Sequence, residues 1–396
     1  MCSPFAPNLA ARHGGKPTAQ LLLRLAERND VAVLALQLDP GDRVDAAIAE
    51  RADLVCEVSR VARAPFRRRV AWAVGLARGV PPWAVDCACG AYARELERLL
   101  DEWKPDVVEI HLQAMAQYVD APARRDLPRI LVDYDPGSAW ADEVRGATPG
   151  LRRLARKIEV AAWRRYERRT RPQFDAIVVF AERDVAAVRP TAGSAVVQRI
   201  PLTIDLPPAP LDPAGSDPPT ILFVGGFGHP PNVDAATWLA QSIFPKVAAR
   251  VAGVRLQLVG QAPGPEVLAL ANDTVSVHAS VPDVVPYADA AAVVVAPIRM
   301  GGSMRGKVLE ALGWGKALVA TPRAAEGVDA VKGEHLVVTE GEDALVDAVT
   351  ALLLDDERRR TLAGNARRWA ETNLGWDAGV AAFERLYGHV ASARRS

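Results

Sequence analysis

The sequence has 396 residues, 48 Lys+Arg against 48 Asp+Glu, 49% apolar residues and only 6% aromatics. That length favours two domains, and the apolar share argues against a disordered chain, because enough surface can be buried to offset chain entropy. Zero net charge argues against a protein built mainly to coat nucleic acid.

Residues 1–15 carry no apolar core behind a positive charge, so no secretory signal is read there. The longest uncharged apolar run, 290–298, falls well short of the roughly 20 residues of a spanning helix. Of the four cysteines, Cys87 and Cys89 have the wrong spacing for a zinc knuckle and no second pair nearby. Reduced thiols in a cytoplasmic protein are the expectation. The chain begins almost at Cys2-Ser3-Pro4, where a first buried strand would normally already be under way, so a few upstream residues are expected to be missing.

In chain order, β-branched runs at 31–38, 53–58, 107–111, 130–133 and 176–180 predict strands. Amphipathic segments at 18–28, 92–102 and 151–170 predict helices between them. Continuous apolar strands alternating with helices predict a parallel sheet covered on both faces. The pattern stops at Pro201, and 207–219 is a proline-rich run that can continue neither a helix nor a central strand. Alternation then restarts, with strands expected at 220–224, 255–259, 275–278, 292–296, 317–320 and 336–338. Helices are expected at 232–251, 266–271, 284–288, 304–314 and 344–354, then over 357–392 with a break near Leu374-Gly375-Trp376. The expectation is two α/β domains, at 1–200 and 220–375, joined by a linker at 201–219 and followed by a terminal segment at 376–396. Ligands of such sheets sit at the carboxyl ends of the strands, which makes a cleft between the domains the default site.

The segment from Ala296 to Thr321 carries the most chemistry. A buried strand ends at Ala296, Arg299 follows, and Gly301-Gly302-Ser303-Met304 opens a helix. Glycines let backbone N–H groups approach a ligand, and the unpaired N–H groups of a helix start favour an anion. Arg305 and Lys307 lie in that first turn, where cations oppose the helix dipole unless an anion such as phosphate is bound. Glu310, one turn beyond Lys307, can accept hydrogen bonds from a vicinal diol such as ribose. By residue chemistry alone, Lys307 and Glu310 read equally as a helix-surface ion pair.

The residues from Gly301 to Thr321, with Glu326-Gly327 after them, resemble the donor-binding signature of retaining GT-B glycosyltransferases of family 4, the "glycosyl transferases group 1". Leu222-Phe-Val-Gly-Gly-Phe-Gly-His-Pro-Pro-Asn-Val-Asp-Ala235, Val259-Gly260 and the run Val281 to Tyr287 agree with that resemblance, which extends over about 220–390. In the first half Gly14-Gly15 is similar to the family's glycine-rich loop, and Ile200-Pro-Leu-Thr-Ile-Asp205 stands where Pro-Asn-Gly-Val-Asp is usual. The resemblance implies two Rossmann-like domains, a nucleotide-diphosphate sugar bound mainly by the second, an acceptor on the first, and a terminal helix returning to the first. It implies Glu310 on the ribose; Arg305, Lys307 and the amides of Gly302 and Ser303 on the leaving diphosphate; and Gly14, Gly15, Gly226, Arg299, Gly301 and Met304 lining the donor. It implies no metal and no further cofactor, helix dipole and cations supplying the charge. Two positions depart from the family pattern. Gly302 stands where many members carry an acidic residue near the sugar, and Gly226-Phe227-Gly228-His229 stands where many carry an Arg and a Lys.

In the first half His111 ends a strand at its carboxyl tip, where the resemblance implies a catalytic His near the donor sugar and residue chemistry alone reads equally as a structural histidine. His13 and Asp135 are read as acceptor-side residues; Asp133-Tyr-Asp135 is also the carboxylate spacing of a metal site in the other large glycosyltransferase fold. Residues 1–200 hold 31 Lys/Arg against 26 Asp/Glu and the remainder 17 against 22, so the first half is basic and the second acidic. Two stretches concentrate the cations. The run 63–78 interleaves them with apolar residues, and 151–171 carries nine Lys/Arg. Each reads as a solvated helix face or as a dock for an anionic membrane, with 63–78 the better membrane candidate. The expected function is metal-independent retaining transfer of a hexose-type sugar to a glycan, lipid-linked or small-molecule hydroxyl. The expected setting is the cytoplasm or a peripheral position at the inner membrane face. A nucleotide-sugar epimerase or coupling enzyme on the same fold, and a silent nucleotide-sugar-binding protein, stay open.

Overall fold

The computed structural model describes all residues except 10–14, 39–40, 148–149, 151, 301–305 and 396. The chain divides into two compact units: Met1–Leu202 with Trp376–Ser396, and the described residues from Thr203 to Gly375.

The first unit is built on β1 (Cys2–Ser3), β2 (Ala32–Gln37), β3 (Leu54–Ser59), β4 (Val108–His111), β5 (Arg129–Val132), β6 (Ala176–Val179) and β7 (Val196–Arg199). They form one parallel sheet in the order β3-β2-β1-β4-β5-β6-β7. Every residue of β4, β5 and β6 is buried, as a sheet covered on both faces requires. The second unit repeats the plan with β8 (Thr220–Val224), β9 (Arg255–Gly260), β10 (Val275–Ala279), β11 (Val293–Ala296), β12 (Leu318–Ala320) and β13 (Val337–Val338). Their order is β10-β9-β8-β11-β12-β13, again all parallel. Both sheets are Rossmann-like: strand order reverses beside the first strand of each, between β1 and β4 and between β8 and β11, and that crevice is where such sheets bind ligands.

Several elements differ from the sequence expectation. The central strand β1 is only Cys2–Ser3, paired to both Leu34 and Ile110. Strand β7 and the helix Gly137–Ala147 stand where the sequence reading expects neither. The one helix expected over 232–251 is three pieces: an α-helix Pro230–Trp238, a π-turn Leu239–Ile243 and an α-helix Phe244–Ala248. Pro245 explains the break. In an α-helix its ring would collide with the carbonyl four residues back, and widening the preceding turn, with Phe244 N–H donating to Leu239 O, relieves that.

The proline-rich run 207–219 is packed onto the second unit. Leu211 N–H donates to Trp314 O (2.8 Å) and Ser216 N–H to Ala290 O (2.8 Å). The buried Arg367 guanidinium donates to Pro207 O (2.8 Å) and Gly313 O (2.7 Å), joining the run to the helix Gly306–Trp314. Lys316, fully buried, donates to Asp289 O (3.1 Å) and to Asp212 O.

The helix Trp376–Arg395 lies within the first unit. Arg24 stacks on the Trp376 ring at 4.5 Å, and Arg394 donates to Asp175 at 2.7 Å. No helix among the described residues is long and apolar enough to cross a membrane. Cys2, Cys56, Cys87 and Cys89 are all free thiols.

Candidate functional site

At the switch point of the second sheet, the loop after β8 and the helix after β11 are brought together by one side chain. Asn232, buried in the first turn of the helix Pro230–Trp238, donates from Nδ2 to Gly226 O (2.9 Å) and accepts at Oδ1 from Lys307 Nζ (3.0 Å). Both hydrogen-bonding ends of the amide are used, so the Lys307 ammonium is held beside the backbone of Gly225-Gly226. Gly225 and Gly260 meet so closely that a Cβ on Gly260 would stand 1.8 Å from Gly225 O, so only glycine fits where β9 ends. Gly226, by contrast, faces open space.

Lys307 is the second residue of the helix Gly306–Trp314, and Glu310 lies one turn further on; both are half-buried. Thr321, just past β12, donates to Ile298 O (2.5 Å) and accepts from Ala324 N–H (3.2 Å), fixing the chain that leads from β11 to Arg299. Arg299 is fixed from the same helix as Asn232. Its Nε and Nη2 donate to Asp234 Oδ2 (3.0 Å) and Oδ1 (2.6 Å), a bidentate pair, and its guanidinium lies 4.6 Å over the Trp238 ring. Beside it opens a pocket of about 740 Å³, whose walls include Asp234, Trp238, Gln241, Ser242, Glu266 and Arg299. Gln241 and Ser242 reach the pocket from the π-turn.

The second unit therefore brings Gly226, Arg299, Lys307 and Glu310 to one end of one sheet. Gly301, Gly302, Ser303, Met304 and Arg305 lie outside the described residues, as do His13 and Gly14. The sequence reading passed over Asn232 and Asp234, although both stand in the Pro-Pro-Asn-Val-Asp run. Their signal was two short polar side chains in the first turn of a helix that follows a glycine loop.

In the first unit Gly15 opens the helix Gly15–Leu25. His111 is buried at the end of β4 with both ring nitrogens occupied: Nδ1 meets Tyr134 OH at 2.8 Å, and Nε2 meets Glu109 Oε1. The chain of contacts continues from Tyr134 OH to Thr18 Oγ1, and Tyr387 OH donates to Glu109 Oε2 (2.6 Å). Burial works against a charge on Glu109, but the His111 ring and the hydrogen bonds from His111 and Tyr387 outweigh it and hold the carboxyl below its usual range. His111 thus sits inside a network joining the first helix, β4, the end of β5 and the terminal helix.

Asp133 is also buried, with Oδ2 on Arg171 Nη2 (2.9 Å), while Asp135 is half-buried in the loop after β5. Asp133 is thus engaged by an arginine, and among the described residues no group of three His, Cys, Asp or Glu side chains is placed to hold a metal ion.

A sequence model of the family described as "Glycosyl transferases group 1" matches residues 218–355. No curated protein matches the chain in sequence. Among solved structures, a sucrose-phosphate synthase from Thermosynechococcus elongatus superposes with a TM-score of 0.71 at 16% identity, over 99% of this chain and 98% of that one. Anabaena Alr3699/HepE, solved with UDP and glucose, gives 0.64 at 10% identity over 98% of each chain. A glycosyltransferase from Rickettsia africae gives 0.58 at 10% identity, also over 98% of each. At these identities the likeness establishes the fold, which is GT-B.

Proposed function

We propose that this chain, whose residues 218–355 match the group 1 glycosyltransferase model, is a nucleotide-sugar-dependent glycosyltransferase, and more closely a retaining hexosyltransferase acting on a hydroxyl acceptor. The observation that carries this reading is Lys307, held by Asn232 at the helix start beside the open Gly226. An ammonium fixed there meets the negative charge that grows on a departing diphosphate, and a preorganised cation stabilises that charge without reorganising. Arg299 adds a second fixed cation, and Glu310 offers acceptor oxygens for a ribose diol. These cations take the part a divalent ion plays elsewhere, so transfer is expected to persist in chelator. The bond from the anomeric carbon to the phosphate oxygen breaks while the acceptor oxygen attacks the same face, and the acceptor proton passes to the departing phosphate. His111, with both nitrogens engaged, acts here as a positioning residue for Tyr134 and the first helix.

HepE was solved with UDP-glucose, so uridine-linked donors are the first to try. Screening UDP-, GDP-, ADP- and dTDP-sugars by thermal shift, then following product with labelled donor, tests the proposal. A donor that raises the melting temperature and yields an adduct with retained anomeric configuration supports it. No shift at millimolar donor, an inverted product, or epimerised free donor without adduct would overturn it.

Asn232→Ala tests the geometry. It should leave Lys307 unfixed and lower kcat about tenfold, within the usual range for loss of a positioning contact. The melting temperature should fall only modestly, because each of the two hydrogen bonds lost, to Gly226 O and Lys307 Nζ, contributes about 1 kcal/mol net. An unchanged kcat would remove Asn232 from the site.

A further inference from the structure

The helix Pro65–Ala77 in the first unit buries little of its surface. Its inward side carries Gly75, where an added Cβ would come within 2.4 Å of Val85, and the half-buried Trp72 and Leu76, while Arg68, half exposed at the border, donates to Asp86 (2.6 Å) and stacks on Trp72 (4.6 Å). Its outward stripe is apolar at helical spacing: Phe66, Val70, Val74 and Ala77 are all exposed, Phe66 by 77%. Val61, just before the helix, is 89% exposed, and Trp83, just after it, is exposed as well. The helix Arg152–Thr170 packs against this one and adds Leu154 (61%) and Ile158 (54%).

Cations border these exposed side chains. Arg67, Arg69 and Arg78 are exposed beside the outward stripe, and Arg153 and Lys157 flank Leu154 and Ile158. From Val58 through Val85 the sequence has no carboxylate at all. Exposed large apolar side chains on a folded monomer normally occur singly, and a cluster of them marks an interaction surface. Helices that place apolar residues among arginines lie in the headgroup region of a bilayer, the apolar chains entering the acyl boundary and the cations meeting anionic lipid.

We propose that this face of the first unit binds the surface of an anionic membrane, with Phe66, Val70 and Val74 inserted and Arg67 and Arg69 on the headgroups. The lipid surface is favoured over an acidic protein because the most exposed groups, Val61, Phe66 and Leu154, are apolar.

The test is co-sedimentation of the full chain with phosphatidylcholine vesicles, with and without phosphatidylglycerol, and with heparin as a soluble polyanion. Binding should require phosphatidylglycerol and weaken in high salt. Phe66→Ser, exposed and so harmless to the fold, should weaken vesicle binding about tenfold, the share of one buried aromatic side chain. Arg67→Glu with Arg69→Glu should weaken it by at least about tenfold, since each cation near such a surface contributes severalfold. Melting curves that match the parent show that neither variant acts by unfolding. No binding to phosphatidylglycerol vesicles, binding that neither variant alters, or heparin binding that matches vesicle binding and ignores Phe66→Ser would overturn the proposal. So would self-association that Phe66→Ser abolishes without any vesicle binding in the parent.

Discussion

Replacing Lys307 by methionine is expected to lower donor turnover by about 10²–10³, the usual effect of removing one fixed donor from developing charge. The fold should respond little. Lys307 is the second residue of its helix, where a cation opposes the macrodipole by about 0.3–1 kcal/mol, while its loss also removes the hydrogen bond to Asn232, about 1 kcal/mol net, so the two effects largely offset. Methionine keeps the length of the stem and removes the charge together with that hydrogen bond. Steady-state rates with labelled donor, read beside a thermal melt, separate the two effects. Turnover within twofold of the parent, or a loss of activity that tracks a loss of stability, would remove Lys307 from the chemistry.

Arg171→Met should lower unfolding free energy by about 3–5 kcal/mol, the range seen when one partner of a buried ionic cluster is deleted. Arg171 is fully buried and donates to Asp133 (2.9 Å), Gln113 (3.1 Å), Thr191 (2.8 Å) and Glu167 (3.3 Å). Its removal strands two carboxylates in the core. Burial already pushes the Asp133 carboxyl up to about 6, with Arg171 opposing that rise. A folded pKa above the unfolded one means the contribution of Asp133 is fully present below about pH 4 and is lost as pH rises through about 6. Without Arg171 the carboxyl is pushed higher still, so the deficit of the variant should be larger at pH 8 than at pH 5. Adding Asp133→Asn should recover part of it. Denaturant titrations at the two pH values give the answer; a loss under about 1 kcal/mol, or one flat in pH, would contradict the assigned role.

The second half of the molecule was readable because its chemistry is local. Strand β8 falls at the residues expected from Thr220-Ile-Leu-Phe-Val224, and Lys307 and Glu310 fall on one helix after β11. The first half was less readable. Strand β1 is two residues long and is a strand only because β2 and β4 flank it. The π-turn at Leu239–Ile243 depends on how Pro245 is accommodated, which hydrophobic periodicity does not report.

From sequence alone came the Rossmann-like pattern of both halves, the group 1 resemblance and the identity of Lys307, Glu310 and Arg299 as candidates, because periodicity and residue spacing along one loop are carried by neighbouring positions. Tertiary structure alone decided what each candidate touches. Asn232 meets Lys307 across 75 positions of chain, Asp234 meets Arg299 across 65, and Glu109 meets Tyr387 across 278. Tertiary structure also placed the strand-tip His111 in the middle of a buried network and made the basic run 63–78 a helix with an apolar stripe facing water. Such pairings follow from sheet order and helix packing, which close contacts between residues whose sequence neighbourhoods hold no trace of one another.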